Sequence, residues 1–192
     1  MSNKPYKKIL ILCEGVTELH YALALKATLS REKQREVDIE IIYNSNNDPL
    51  TLANKATRRT HEAKRAGVPY TKVWLFFDND NSPKLKEAFA EIDKHNHSIA
   101  YSSISIEYWF ILHHTYTTKE FTNADEATRH LTQNYMSGYH KTKINHYALL
   151  KDKLNAALGN AEKLRKNAPS RPLYQSNPYV TVDELVNYIN SL

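Results

Sequence analysis

Two short apolar runs constrain the fold of this chain more than any other feature. Residues 8–13 (KILILC) and 72–77 (KVWLFF) are apolar at nearly every position rather than at alternate ones. Strands of this kind occur at the centre of parallel sheets, where helices cover both faces. The two runs therefore predict a central sheet that is covered by helices on both sides.

The remaining segments alternate between helical and extended patterns. We predict helices over 17–29, over 48–66 and from 82 onward, and strands over 37–43 and 99–103. Asp48-Pro49 and Ser82-Pro83 each combine a capping side chain with proline at the first helical position, and we expect Thr17 to be an N-cap. This order predicts an α/β fold with a parallel sheet. From Ile106 onward the pattern is helical, so we expect an α/β core over 1–115 and a helical C-terminal extension over 116–192 that packs on it.

Composition narrows the possible locations and partners. The only cysteine is Cys13, so no intrachain disulfide forms, which agrees with a cytoplasmic protein. The first apolar run is too short for a membrane span, and we expect no signal peptide or membrane contact. The net charge is +5, and basic residues outnumber acidic ones in 54–72 and 140–171. These basic segments favour a polyphosphate partner such as DNA or RNA, although solvated helix faces explain them equally well.

Acidic residues stand where the two apolar runs end. Glu14 and Gly15 follow the first run, and Asp78 and Asp80 follow the second. The carboxyl ends of neighbouring parallel strands open into one crevice, so we expect these carboxylates to converge. Carboxylate oxygens favour Mg²⁺ or Mn²⁺. Gly15 would allow a sharp turn and the close approach of a phosphate. The alternative is that the Asp-x-Asp pair only caps the following helix.

The histidines suggest a second kind of metal site. His113 and His114 are adjacent, and His95 and His97 lie nearby in sequence. Zinc sites usually recruit cysteine or well-spaced histidine, so packing and surface exposure are the favoured explanation for these four residues. His113 or His114 could still contact a phosphate.

Several stretches together resemble a known family. They are LCEGVTELHY (12–21), DPL (48–50), VWLFFDNDN (73–81), SISIEYWFILHH (103–114), YHK (139–141) and NPYVTVDELVNYI (177–189). An apolar strand that ends in Glu-Gly, followed later by one that ends in Asp-x-Asp, resembles the Toprim domain. The whole set is more similar to the RloB family of small Toprim-like proteins. Of that family's usual Ser-Asn-Pro-x-Phe-Glu-x-Trp motif, this chain keeps Ser103, Glu107 and Trp109.

The resemblance implies a Mg²⁺- or Mn²⁺-dependent nuclease of anti-phage defence, often encoded beside an ATPase partner. It implies that Glu14 is a metal ligand or general acid/base, that Asp78 and Asp80 are metal ligands, and that Glu107 is a fourth catalytic candidate. Substrate contacts are expected from Gly15, Glu18, His113 and Lys141.

Two other functions stay open: a Toprim-fold module that binds nucleic acid or a partner without cleavage, and a metal-dependent small-molecule phosphohydrolase. A strand ending in Asp-x-Asp also resembles the start of haloacid-dehalogenase phosphatases, but there it is the first strand, whereas two predicted strands precede it here. The choice between DNA and RNA and the oligomeric state, a homodimer included, also stay open.

Overall fold

A five-stranded sheet forms the centre of the molecule. A computed structural model describes residues 6–43 and 48–192. Its strands are β1 (Lys7–Cys13), β2 (Val37–Tyr43), β3 (Lys72–Asp78), β4 (Ser98–Ser103) and β5 (Tyr179–Val180). Their order in the sheet is β2-β1-β3-β4-β5. The first four strands are parallel, and β5 pairs with β4 in the antiparallel direction. The predicted α/β class and the four predicted strands are confirmed.

Helices cover both faces of this sheet. They are α1 (Val16–Lys26), α2 (Arg31–Glu36), α3 (Pro49–Arg65), α4 (Leu85–Lys94), α5 (Ile106–Leu112), α6 (Ala124–Asn134), α7 (His146–Leu150), α8 (Leu154–Lys166) and α9 (Val182–Asn190). In the part of the chain that the structure describes, none of them is long and apolar enough to cross a membrane.

The alternation of side chains along β1 divides the interior into two cores. Ile9 and Ile11 face a core that includes residues of α1, α5, α8 and α9. Leu10 and Leu12 face a second core, which is built with α3 and α4. Successive side chains of a strand point to opposite faces, so a strand buried between two helical layers must be apolar throughout.

One of the three predicted helix starts is confirmed. Asp48 caps α3: its side chain accepts hydrogen bonds from the Leu50 N–H (3.4 Å) and the Thr51 hydroxyl (2.7 Å). At the other end of α3, Gly67 adopts a φ of 75°, which suits glycine.

The other two predicted starts are wrong. Gly15, not Thr17, is the N-cap of α1, because the Thr17 hydroxyl donates a hydrogen bond to the Lys141 carbonyl instead. Helix α4 begins at Leu85, two residues later than Ser82-Pro83 predicts. A turn precedes it, in which the Ser82 N–H donates to the Asn79 carbonyl across 2.8 Å.

The C-terminal segment returns to the sheet, which the sequence pattern does not predict. Strand β5 adds to the edge next to β4, and the Thr181 hydroxyl accepts a hydrogen bond from the Tyr101 N–H (3.0 Å). Arg165 of α8 forms a double hydrogen bond with the carboxylate of Asp183 at the start of α9. These contacts join the helical segments to the sheet edge.

Candidate active site

The carboxyl ends of β1 and β3 bring Glu14 and Asp78 together. The two strands are neighbours, and the Glu14 N–H continues their ladder by donating to the Phe76 carbonyl across 2.9 Å. The Asp78 N–H donates to Glu14 Oε2 at 3.3 Å. The convergence that the sequence predicts for these two residues is therefore present.

Gly15 provides space for a further carboxylate, that of Glu18. The chain bends at residues 14 and 15 between β1 and α1, as predicted. The φ of −119° and ψ of 169° at Gly15 are extended values that any residue adopts, so the bend itself does not require glycine. A Cβ atom at this position would instead collide with Glu18 Oε2. Glu18 lies in the first turn of α1 and is 5% exposed. The absence of a side chain at Gly15 therefore lets the Glu18 carboxylate fold back over the helix start.

Glu107 is fully buried in the first turn of α5. Its Oε1 accepts a hydrogen bond from the Tyr139 hydroxyl at 2.7 Å and lies 3.5 Å from Lys141 Nζ. Its Oε2 has no hydrogen-bond partner within the described ranges. Tyr139 and Lys141 both belong to the segment between α6 and α7, so that segment supplies the partners of a carboxylate at the end of the sheet.

A pocket of about 250 Å³ opens over these residues. Its lining includes Glu14, Gly15, Glu18, Asp78, Asp80 and Lys141, together with Val16, Thr17, Tyr43, Ile106 and Thr142. Asp80 is exposed, with a φ of 36°. The structure thus gathers the predicted acidic residues of both strand ends around one pocket, with Lys141 on its wall.

Burial and mutual repulsion shift the protonation of these groups. Burial raises the pKa of Glu14 to about 7, and the charges of Glu18 and Asp80 add to the effect. Burial and the Glu107 charge raise the pKa of Glu18 to about 7. Burial, followed by the charges of Glu18 and Glu14, raises the pKa of Asp78 well above its ordinary value. Without a cation, the ionised forms of these three carboxylates are therefore disfavoured.

Lys141 is the cation that faces this cluster. Burial acts to lower its pKa, but the charges of Glu107 and Asp78 outweigh burial, so the pKa of Lys141 is raised. The side chain is half exposed, so its ammonium group remains accessible from the pocket. One ammonium group offsets only part of the negative charge.

The donor chemistry of the cluster fits a hard divalent cation. Carboxylate oxygens are the preferred ligands of Mg²⁺ and Mn²⁺, and Glu107 Oε2 is a buried oxygen without a hydrogen bond. Over residues 6–43 and 48–192, however, no three histidine, cysteine or acidic side chains already stand in an arrangement that could hold an ion. Glu14 would have to exchange its hydrogen bond with Asp78 for a metal contact.

His113 lies away from the pocket, at the C-terminal end of α5. It is 2% exposed, and its Nδ1 is 2.9 Å from the Trp109 carbonyl. Its ring packs against Trp109 with 4.6 Å between centroids, and burial lowers its pKa to about 4. These contacts make His113 a packing residue at the end of α5. The predicted substrate contact of His113 does not fit this position, because His113 does not line the acidic pocket.

Comparison with known proteins gives one match. A family model described as RloB-like protein matches residues 9–189. No curated protein and no solved structure matches. The match extends over nearly the whole chain, from β1 to the last turn of α9.

Proposed function

Because this chain belongs to the RloB-like protein family, we propose that it is a Mg²⁺- or Mn²⁺-dependent Toprim-type nuclease that hydrolyses phosphodiester bonds of DNA or RNA. The observation that carries the proposal is the contact between Glu14 and Asp78 at the mouth of an acidic pocket. We further propose that the protein acts in the cytoplasm in anti-phage defence, with an ATPase partner.

Glu14, Asp78 and Asp80 would hold the cation. When bound, a divalent cation neutralises charge on the phosphate and favours the ionised form of a water nucleophile. Burial raises the pKa of Glu14 to about 7 in the metal-free protein. If Asp78 and Asp80 alone held the cation, Glu14 would instead be the group that accepts a proton from water near neutral pH. Such a group is most effective when its pKa lies near the operating pH.

Lys141 would bind the phosphate. Its ammonium group lines the same pocket as Glu14 and Asp78, and Glu107 beneath it limits where the side chain can point. An ammonium group beside the reacting phosphate stabilises the extra negative charge of the transition state. Tyr139 holds Glu107 and thereby positions Lys141.

Metal binding and cleavage test the proposal with one set of variants. The purified protein should bind Mn²⁺ in calorimetry, and Glu14→Gln and Asp78→Asn should each abolish that binding and the cleavage of plasmid DNA or tRNA. Glu87→Gln is the matched control, since Glu87 is an exposed residue of α4 outside the pocket. It should behave as the natural protein does.

The choice of substrates separates the nuclease from its alternatives. Plasmid DNA, tRNA and an aryl phosphate are incubated with the protein and Mn²⁺, with and without a candidate ATPase. Cleavage of the aryl phosphate alone would mean a small-molecule phosphohydrolase. Tight binding of nucleic acid without cleavage under every condition would mean a binding module. Either result would overturn the nuclease proposal.

A further inference from the structure

A groove continues from the acidic pocket along α1. It has a volume of about 440 Å³ and lies between α1 and the segment 142–145. Thr142 lines both the groove and the acidic pocket, so the two spaces lie next to each other. A ligand that reaches the carboxylates can therefore extend into the groove without leaving the surface.

The walls of the groove are fixed in place. The Thr17 hydroxyl donates to the Lys141 carbonyl at 3.2 Å, which ties α1 to the start of the segment. Beyond the segment, the rings of Tyr21 and Tyr147 meet edge to face with 5.4 Å between centroids. Asn145 caps α7 by accepting a hydrogen bond from the Ala148 N–H at 3.0 Å. The groove is thus held at both ends and does not need to form when a ligand binds.

The lining of the groove is apolar and basic. Leu23 is 46% exposed and presents apolar surface to the groove. Ile144 and Ala24 add apolar surface, and Lys143 is an exposed cation that pairs with no acidic residue of the described ranges. The groove lining contains no acidic residue, in contrast to the pocket beside it.

We infer that this groove binds the nucleoside next to the scissile phosphodiester of a single-stranded nucleic acid, with its base against Leu23 and Ile144 and its outer phosphate at Lys143. The inference rests on the proposed nuclease function. The volume lies in the range of sites that bury a small organic ligand. A base inside a duplex is stacked and paired, so only an unpaired base can enter such a groove. The substrate class is therefore single-stranded DNA or RNA, including loops and ends.

Binding of labelled oligonucleotides tests the inference without relying on cleavage. Fluorescence anisotropy in EDTA measures the affinity of a short single strand and of a duplex of the same sequence. The single strand should bind at least tenfold more tightly. Leu23→Glu should weaken single-strand binding tenfold or more, because it removes apolar contact and repels phosphate. Lys143→Gln should weaken it three- to tenfold and lower the salt dependence by about one phosphate contact.

Two matched controls lie outside the groove. Val68→Glu changes another exposed apolar residue, at the opposite end of the sheet, and Lys86→Gln changes another exposed lysine, on α4. Both should bind as the natural protein does.

The outcomes separate this inference from the proposed function. One outcome is that the protein cleaves no substrate, while Leu23→Glu and Lys143→Gln still weaken the binding of single strands. In that case the nuclease proposal fails and the inference about the groove is supported. If the protein cleaves nucleic acid while both variants bind and cleave normally, the groove inference is overturned. Preference for the duplex, or no binding of either strand form, also overturns it.

Discussion

The carboxylate of Glu14 accepts a hydrogen bond from the backbone N–H of Asp78 across 3.3 Å, although the two residues are 64 positions apart in the chain. The same carboxylate oxygens would bind a cation, so Glu14 has two competing partners. Protonation of Glu14 would weaken cation binding, so the protonation state of Glu14 is expected to control whether the cation binds.

In the absence of divalent cations, Glu14→Gln should become more stable relative to the natural protein as the pH rises from about 4.5 to about 7. Burial raises the pKa of Glu14 from its ordinary value of 4.5 to about 7. Between these values the folded protein keeps a proton that the unfolded chain has released, so the stability contributed by Glu14 is present at low pH and is lost as the pH rises. Glutamine does not titrate and keeps an acceptor for the Asp78 N–H.

Urea unfolding of both proteins in EDTA at pH 4.5, 5.5, 6.5 and 7.5 measures the difference between their free energies of unfolding. That difference should change by on the order of 2 kcal/mol over this pH range. Burial lowers the pKa of His97 and His113 to about 4, which acts in the opposite direction, but it does so in both proteins. Stability curves that run parallel at every pH would contradict the prediction.

Gly15→Ala should weaken Mn²⁺ binding by about tenfold or more, since displacing a group that supports a metal site has effects of this size. The added Cβ collides with Glu18 Oε2, and that carboxylate can turn away because it is the end of a flexible side chain. We expect a loss of stability of no more than about 1 kcal/mol. Calorimetry with Mn²⁺ and thermal unfolding provide the two readouts. The control is Gly138→Ala, because a Cβ at Gly138 meets no atom within 4 Å.

Tyr139→Phe should destabilise the protein by about 1–3 kcal/mol, because it removes the hydroxyl that satisfies a fully buried carboxylate oxygen of Glu107. Phenylalanine keeps the ring that packs against Phe110 and His146. Urea unfolding measures the loss. Tyr135→Phe is the control: the Tyr135 ring stacks on His114, and its hydroxyl has no hydrogen bond to a described residue. Equal effects of the two variants would argue against a role for the Tyr139 hydroxyl.

Asp183→Ala should cost up to about 3–5 kcal/mol, because it removes the double hydrogen bond of the largely buried Arg165 guanidinium. Among the residues that the structure describes, only the Val180 carbonyl, at 2.7 Å, and the Glu184 carboxylate, at 3.8 Å, then remain as its partners. The Asp183 carboxylate is 2% exposed and accepts from Arg165 Nη2 at 2.6 Å. The comparison is Glu162→Ala, which breaks an exposed ion pair with Lys166 and should leave the stability nearly unchanged. The midpoints of urea unfolding should differ accordingly, and a Glu162→Ala variant as unstable as Asp183→Ala would be inconsistent with this account.

The parts of the fold that are encoded locally could be predicted from the sequence. Strands β1 to β4 have apolar patterns of six or seven residues, and their carboxyl ends indicate where Glu14 and Asp78 meet. Strand β5 has only two residues, too few for a pattern, and forms because β4 offers an open edge. Thr17 looks like an N-cap in isolation but is drawn into a contact with Lys141, 124 positions away.

In the candidate active site, too, local sequence patterns identify some residues, whereas the contacts of others depend on distant parts of the chain. The family resemblance implies a role for Glu107 and an expected position at the end of the fourth strand. That position is wrong, because β4 ends at Ser103 and Glu107 lies in the first turn of α5. Its contacts with Tyr139 and Lys141 depend on how the segment between α6 and α7 packs, which periodicity does not encode. The YHK motif (139–141) indicates this segment, but it does not indicate that Glu107 is the residue that the segment contacts. The close contact between Gly15 and the Glu18 carboxylate also depends on where the Glu18 side chain folds, which the sequence pattern does not indicate.

The arrangement around Glu107 limits how the chain can be shortened. A fragment that ended at residue 115 would retain β1 to β4 and all five carboxylates, yet it would lack the hydroxyl and the ammonium group that Tyr139 and Lys141 bring to Glu107. Such a fragment would leave the Glu107 carboxylate without the two groups that neutralise and satisfy it. A domain boundary at residue 115 would therefore separate Glu107 from the side chains that contact it. A shortened protein has to keep the segment that follows α6 together with the sheet.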